Sequence, residues 1–290
     1  MEIKTESPIL QRISQLYGHM STSHQALADV IINNPEEAAF FNVGNLARTA
    51  GVSESTVTRF AVFLGYSGFP ALTRELQEIV RSKLSTGERF RLSRKIKNDE
   101  ERAAISFFEE DLQNIVMTIE RIDLESFKRT VNSLLAARRV GIACARSSVS
   151  LGLFMEFYLN LLNKDVTLFT GEPRTMDLLE RFGPEDVVIG ISFARYTQFT
   201  VKCLAYAKEK GARIVALTDY PSSPLAVQAH EVLLTPTGIA SHMDSFTAPL
   251  SVITALLRSM AYKVPEQVAQ ALNDLEDIWT GFDVYVQPKK

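Results

Sequence analysis

The stretch Leu46-Ala47-Arg48-Thr49-Ala50-Gly51-Val52-Ser53-Glu54-Ser55-Thr56-Val57-Thr58-Arg59-Phe60 predicts two short helices, over 43–50 and 54–64, separated only by Gly51-Val52-Ser53. Helices joined by so tight a turn pack as a helix-turn-helix. Each special residue has a packing reason. Ala47 lets the two helices approach closely, Gly51 permits a positive φ in the turn, and Val57 plugs the space between them. Ser53 is placed to cap the second helix by accepting a backbone N–H, with Thr56 turned back toward it. Ser53, Ser55, Thr56, Thr58 and Arg59 then cluster at the start of the second helix, where a recognition helix meets bases and phosphates. Arg59 is the one long donor and the first candidate for a DNA contact. An ordinary three-helix bundle with a solvated face is the plainer reading of the same residues.

Working outward, every periodic segment from Gln11 to about Val80 reads helical. Leu27, Ala28, Ile31 and Ile32 fall at helical spacing, and Asn34-Pro35 ends that helix because the residue before proline is pushed out of the α region. A further helix is expected over about 70–84, and Ser85-Thr86-Gly87 reads as an interruption or linker. Charge marks the same place. Residues 1–80 carry five basic against eight acidic side chains, residues 81–97 seven against one, and the remainder nineteen against twenty-five. One basic run thus joins two acidic blocks, and its Lys and Arg are of the kind that neutralise phosphates.

Beyond about residue 105 the period changes. A helix with Leu112, Ile115, Val116 and Ile119 on one face leads into apolar runs alternating with helical stretches. The runs are 140–144, 166–169, 187–191, 214–217 and 232–234, and a last long helix is expected over 246–262. Nearly continuous apolar strands separated by helices indicate a parallel sheet buried on both faces, hence a three-layer α/β domain of five parallel strands. In such sheets, ligands bind where strand ends lead into helix N-termini. Two of these loops are polar: Arg146-Ser147-Ser148 after the first strand, and Ser192-Phe193-Ala194-Arg195-Tyr196-Thr197 after the third. Their hydroxyls suit a phosphate or carboxylate, and an arginine adds a bidentate clamp. Taken singly, each Ser or Thr reads as a helix cap.

At 290 residues, with 46% apolar and 22% charged side chains, the chain has material for two cores. Cys144 and Cys203 stand outside any ligand-like spacing, which excludes a disulfide scaffold or a structural zinc site. No apolar run approaches the ~20 residues of a membrane span, and no signal-like segment opens the chain, so a soluble, cytoplasmic protein without membrane contact is expected. Nothing in the motifs calls for a metal or a cofactor.

The helix-turn-helix with Gly51-Val52-Ser53 and Gly65-Tyr66-Ser67-Gly68-Phe69 is followed by 186–192 (Asp-Val-Val-Ile-Gly-Ile-Ser), 212–219 (Ala-Arg-Ile-Val-Ala-Leu-Thr-Asp) and Ser223-Pro224-Leu225-Ala226. This order resembles the RpiR family of bacterial transcriptional regulators over nearly the whole chain. The resemblance implies a DNA-binding domain at 1–80, a basic linker or helix at 81–105, and a sugar isomerase (SIS) domain at 106–290 that senses a phosphorylated sugar or derivative, without catalysis, and dimerises. The implied partners are double-stranded DNA, an anionic effector such as a sugar phosphate or carboxylate, and further copies of the chain as a homodimer or tetramer. The family's first loop commonly reads G-x-G-x-S and its second S-x-S-G-x-T; here Ala143, Ala145 and Ser147, then Ser192, Ala194, Arg195 and Thr197, occupy those places. Arg146, Ser147, Ser148, Ser192, Arg195, Tyr196 and Thr197 form the expected effector set, and the two arginines favour a more anionic ligand than the family's default. The family's basic residues after the recognition helix are replaced by Ala61-Val62-Phe63. Two other functions remain open from sequence. One is an SIS isomerase using His242 and Asp244 as its acid–base groups; the other is an interaction module that does not bind DNA.

Overall fold

A computed structural model describes residues 8–96, 100–238 and 243–286, with the backbone alone for 78–83, 96 and 100–103. The chain divides into two compact units. One runs to Gln113 and takes in Gly238–Ser245; the other comprises Asn114–Thr237 and the residues from Phe246 onward.

The first unit is helical: α1 (Pro8–Leu16), α2 (Thr22–Asn33), α3 (Pro35–Ala38), α4 (Val43–Ala50), α5 (Glu54–Phe63), α6 (Phe69–Lys83) and α7 (Thr86–Ile96), followed by the first half of α8 (Glu100–Arg121). Its core is built from Ile9, Ile13, Leu27, Ile31, Leu46, Val57, Phe60, Leu64, Leu72 and Leu76, all fully buried. The helix ends follow local chemistry. Asn42 caps α4 by accepting the Asn45 N–H at 2.7 Å, and α4 stops at Gly51, whose φ of 68° is the left-handed turn the sequence reserved for it. Pro35 begins α3 directly after α2, as its ring demands. The basic stretch, expected as a linker or a helix, is helical over α7. The break falls at Leu84-Ser85, but Ser85 then starts α7 with a capping box: its N–H donates to Glu88 Oε2 at 2.8 Å while its Oγ accepts the Glu88 N–H at 3.4 Å. The serine read as an interruption is a start signal, because Glu88 three residues later satisfies it. Lys97 lies outside the described residues.

The second unit contains the rest of α8, then α9 (Leu124–Ala136), β1 (Arg139–Cys144), α10 (Val149–Leu161), β2 (Asp165–Phe169), α11 (Thr175–Leu179), β3 (Val187–Ile191), α12 (Gln198–Glu209), β4 (Arg213–Thr218), β5 (Glu231–Leu234), α13 (Thr247–Lys263) and α14 (Pro265–Gly281). The sheet is parallel throughout, in the order β2-β1-β3-β4-β5. Alternate residues feed two cores. Val140, Ile142, Ile189, Val215 and Leu233 pack with α9, α10 and α13, whereas Ala143, Val188, Ile214 and Ala216 pack with residues of α11 and α12. With both faces covered, neither needs polar residues, which is why the strands read as unbroken apolar runs. Close approach of helix and sheet is set by glycines. A Cβ on Gly190 would stand 2.4 Å from Leu204 of α12, and one on Gly152 of α10 would stand 2.5 Å from the Cys144 sulfur.

Buried carboxylates tie elements to the sheet. Glu231 of β5 accepts from Ser126 and Arg129 of α9 at 3.0 and 2.9 Å, and from Arg213 of β4. Burial alone would raise its pKa, but these donors outweigh burial and hold it below the usual carboxylate range. Asp186 accepts both guanidinium arms of Arg138, at 3.0 and 2.7 Å, and the Gly183 N–H at 2.8 Å.

Candidate functional site

Two groups of candidate residues stand out, one in each unit. In the first, Ser53 caps α5 by accepting the Thr56 N–H at 3.3 Å, and its hydroxyl also lies 2.8 Å from that of Thr56 and 2.9 Å from that of Ser55. Val57, Phe60 and Ala61 face the core. Helical geometry therefore turns Ser55, Thr58 and Arg59 outward together, and all three are exposed. Arg59 lies back along its own helix, donating from Nε to the Ser55 carbonyl at 3.3 Å. Thr58 donates to the Glu54 carbonyl at 3.3 Å. Thr56, half-buried, is turned toward Ser53, so the five predicted residues split into an outward face and a cap. His24 of α2 was not singled out by sequence. Its ring packs 5.4 Å from Phe60 and 5.2 Å from Phe63, and burial together with the Arg59 charge lowers its pKa. No local pattern marks it, because the two rings it meets lie 36 and 39 residues further along the chain.

In the second unit the two polar loops leave neighbouring strands. Cys144 is the register partner of Ile191, so the loops begin side by side where the sheet order reverses direction, between β1 and β3. That is the position at which doubly wound sheets take ligands. After β1, Arg146–Ser148 form a single tight turn leading into α10. Arg146 and Ser147 are exposed and Ser148 is buried. After β3, buried Ser192 accepts the Thr197 N–H at 3.3 Å and so folds the loop back on itself. Neither Ser148 nor Thr197 caps the helix it precedes through its side chain; Thr197 instead shares a hydrogen bond with Thr200 at 2.8 Å.

Arg146 and Arg195 both have positive φ, 56° and 64°, one in each loop. A residue with a Cβ adopts that region at a cost of roughly 1–3 kcal/mol, and such strain collects at ligand clamps. Asp219, just beyond β4, explains how the second loop is held. One of its carboxylate oxygens accepts the Ala194 N–H at 3.0 Å and the other the Tyr196 hydroxyl at 2.8 Å, so the carboxylate brackets Arg195. Sequence placed Asp219 in a family stretch but gave it no role, since its partners lie 25 and 23 residues away.

The acid–base pair considered for an isomerase is not assembled by the described residues. His242 lies outside them, and Asp244 stands 3.8 Å from Arg89. Among the described residues no group of His, Cys, Asp or Glu is arranged to hold a metal, and no helix is long and apolar enough to cross a membrane.

The helix-turn-helix domain of the rpiR family matches residues 7–83, and the SIS domain matches residues 133–259. The chain belongs to the rpiR family of helix-turn-helix transcriptional regulators. Its relatives agree. It is 26% identical to the HTH-type transcriptional regulator HexR of Pseudomonas aeruginosa over 75% of both chains. It is also 26% identical to HexR of Escherichia coli over 76% of this chain and 75% of that one. Among solved structures, the sugar isomerase domain of an RpiR transcription factor from Sphaerobacter thermophilus is similar, at 29% identity and TM-score 0.58, over 60% of this chain and 98% of that one. The Vibrio vulnificus NanR protein shares the fold at 20% identity and TM-score 0.55, over 94% of this chain and 98% of that one. In this rpiR-family regulator α5 lies within the matched helix-turn-helix domain and the paired loops within the matched SIS domain.

Proposed function

We propose that this regulator acts in the cytoplasm as a homodimer that binds operator DNA through α5 and is switched by an anionic metabolite seated between the loops 146–148 and 192–197. The observation that carries the effector reading is the pair of left-handed arginines on adjacent strand ends. Two arginines on neighbouring strand-end loops favour an anion, and Ser147, Ser192 and Thr197 on the same two loops add hydroxyls. A sugar phosphate is the first effector class, in line with the NanR structure, which is of a complex with ManNAc-6P; di- and tricarboxylates are the second. The SIS domain serves here as a sensor and not as an isomerase, in keeping with relatives named as regulators.

On DNA, Ser55, Thr58 and Arg59 meet the duplex, with Ser53 and Thr56 shaping the helix start. Symmetric half-sites about one helical turn apart, or a multiple of it, follow from a dimer of such heads. Arg59→Ala is expected to cost ~1–3 kcal/mol of operator affinity if the arginine reads a base edge, measured by titration at fixed salt; unchanged affinity removes Arg59 from the interface. A thermal-shift screen of sugar phosphates and small carboxylates tests the effector. A hit whose effect on operator binding is lost in Arg195→Ala/Ser147→Ala, with unliganded DNA binding intact, supports the site; the same calorimetric affinity in that variant places the pocket elsewhere.

A further inference from the structure

Residues 7–28 carry no Asp or Glu, although the first eighty residues are acidic on balance. His24 stands near the end of that stretch, in the first turn of α2, where no side chain is acidic. Ser21 caps the helix by accepting the His24 N–H at 3.3 Å, and Thr22 and Ser23 beside it are exposed. The imidazole is half-buried and lies along one flank of α5, 5.4 Å from the Phe60 ring and 5.2 Å from that of Phe63. Phe60 faces the core, and at 3.6 residues per turn Phe63 falls between it and outward-pointing Arg59. His24 therefore sits at the edge of the outward face, on the side of Arg59. Its helix packs against α3, α4 and α5. The charged groups on those helices are Glu36, Glu37, Arg48, Glu54 and Arg59, and Arg59 is the one whose charge acts on the imidazole.

A helix lying in the major groove, which is about 12 Å wide, has a phosphate strand along each flank. We propose that His24 contacts a DNA phosphate beside the groove that α5 enters, taking up a proton from solvent as the complex forms. In the free protein burial and the Arg59 charge both disfavour the imidazolium. A phosphate against the ring supplies the opposite charge and reverses that balance. The pKa on DNA then lies above that of the free protein. The contribution to binding is fully present below the free value and is lost as pH rises through the bound one. Such a contact reads no base, so it fixes the position of α5 on the duplex and adds nothing to sequence choice. The inference rests on α5 being the helix that meets DNA.

Titrations of the full-length protein at several salt concentrations test it, on a duplex that the wild type recovers from a random pool. His24→Phe keeps an aromatic ring against Phe60 and Phe63 but cannot be charged, whereas His24→Lys is charged throughout. At pH 8 wild type and His24→Phe are expected to bind alike. At pH 6 the wild type is expected to bind about threefold to tenfold tighter than His24→Phe, and its affinity to fall more steeply with salt, by about 0.9 in log–log slope for each head engaged. The slope of His24→Lys is expected to be steep at both pH values. A histidine that only packs would change affinity without making the slope follow pH. Equal slopes for wild type and His24→Phe at pH 6 overturn the contact. If His24→Phe does not fold, His24→Lys decides: a wild-type slope that does not approach that of His24→Lys as pH falls overturns it too. A wild type that recovers no duplex sinks the DNA reading of α5 instead, so the two failures are told apart.

Discussion

Arg195 shows how a single residue can be held in a conformation it does not favour. Its φ of 64° persists because Asp219 grips the residues on both sides of it, and replacing it by glycine relieves the strain while deleting the guanidinium. Arg195→Gly is therefore expected to weaken effector binding in calorimetry, and an unchanged affinity would take Arg195 out of the effector site. Glu231 is the opposite case, a buried carboxylate with a purely structural role. Its pKa is depressed in the folded protein, so its contribution is present above the ordinary carboxylate range near pH 4.3 and disappears as pH falls through the folded value. Glu231→Gln should cost about 2 kcal/mol at pH 7, the scale of hydrogen bonds to charged groups, and flatten the fall in stability between pH 5 and 3 in urea melts. An unaltered acid limb would assign that limb to Asp186 and the other paired carboxylates.

Elements are joined here by glycines that act for different reasons. Gly51 ends α4 at positive φ with open space where a Cβ would go, so Gly51→Ala meets only backbone strain of about 1 kcal/mol. Gly190 has an ordinary strand conformation, but its missing Cβ is the gap into which Leu204 of α12 fits. Gly190→Ala forces the helix off the sheet and belongs with overpacked cores, at about 1–3 kcal/mol. Denaturant midpoints should rank Gly190→Ala as the more damaging, and the reverse order would show that α12 can shift freely. The Ser85 capping box makes the same point about elements. A serine followed three residues later by glutamate starts a helix, whatever the composition of the stretch around it.

At the scale of the molecule, a regulator with a DNA-facing helix in one unit and an effector site in the other works only if the two bind reciprocally. Whatever factor the effector imposes on operator affinity, operator DNA must impose on effector affinity. Measuring both at one temperature and salt concentration should give equal ratios within error. Unequal ratios would mean that the chain changes its association state between the two experiments, which sedimentation would reveal directly. An effector present at about 100 times its Kd should also raise the stability of the folded protein by about 2.7 kcal/mol, a shift readable by thermal melts without any DNA present.

The sequence by itself determined the two architectures. The turn at Gly51 and the cap at Ser53 define α4 and α5, and the unbroken apolar runs define a parallel sheet with two buried faces, because both signals are local or periodic. It also placed the polar loops after β1 and β3, since strand ends follow from the strands. The tertiary structure decided what no local pattern carries. Asp219 became the clamp on Arg195, and His24 came to lie against Phe60 and Phe63 beside Arg59, through contacts that span tens of residues. The apolar face of α8, legible as amphipathic from Leu112, Ile115, Val116 and Ile119, was left largely uncovered by its own chain. A hydrophobic period says that a face must be buried; only the packing of everything else says whether the same molecule buries it.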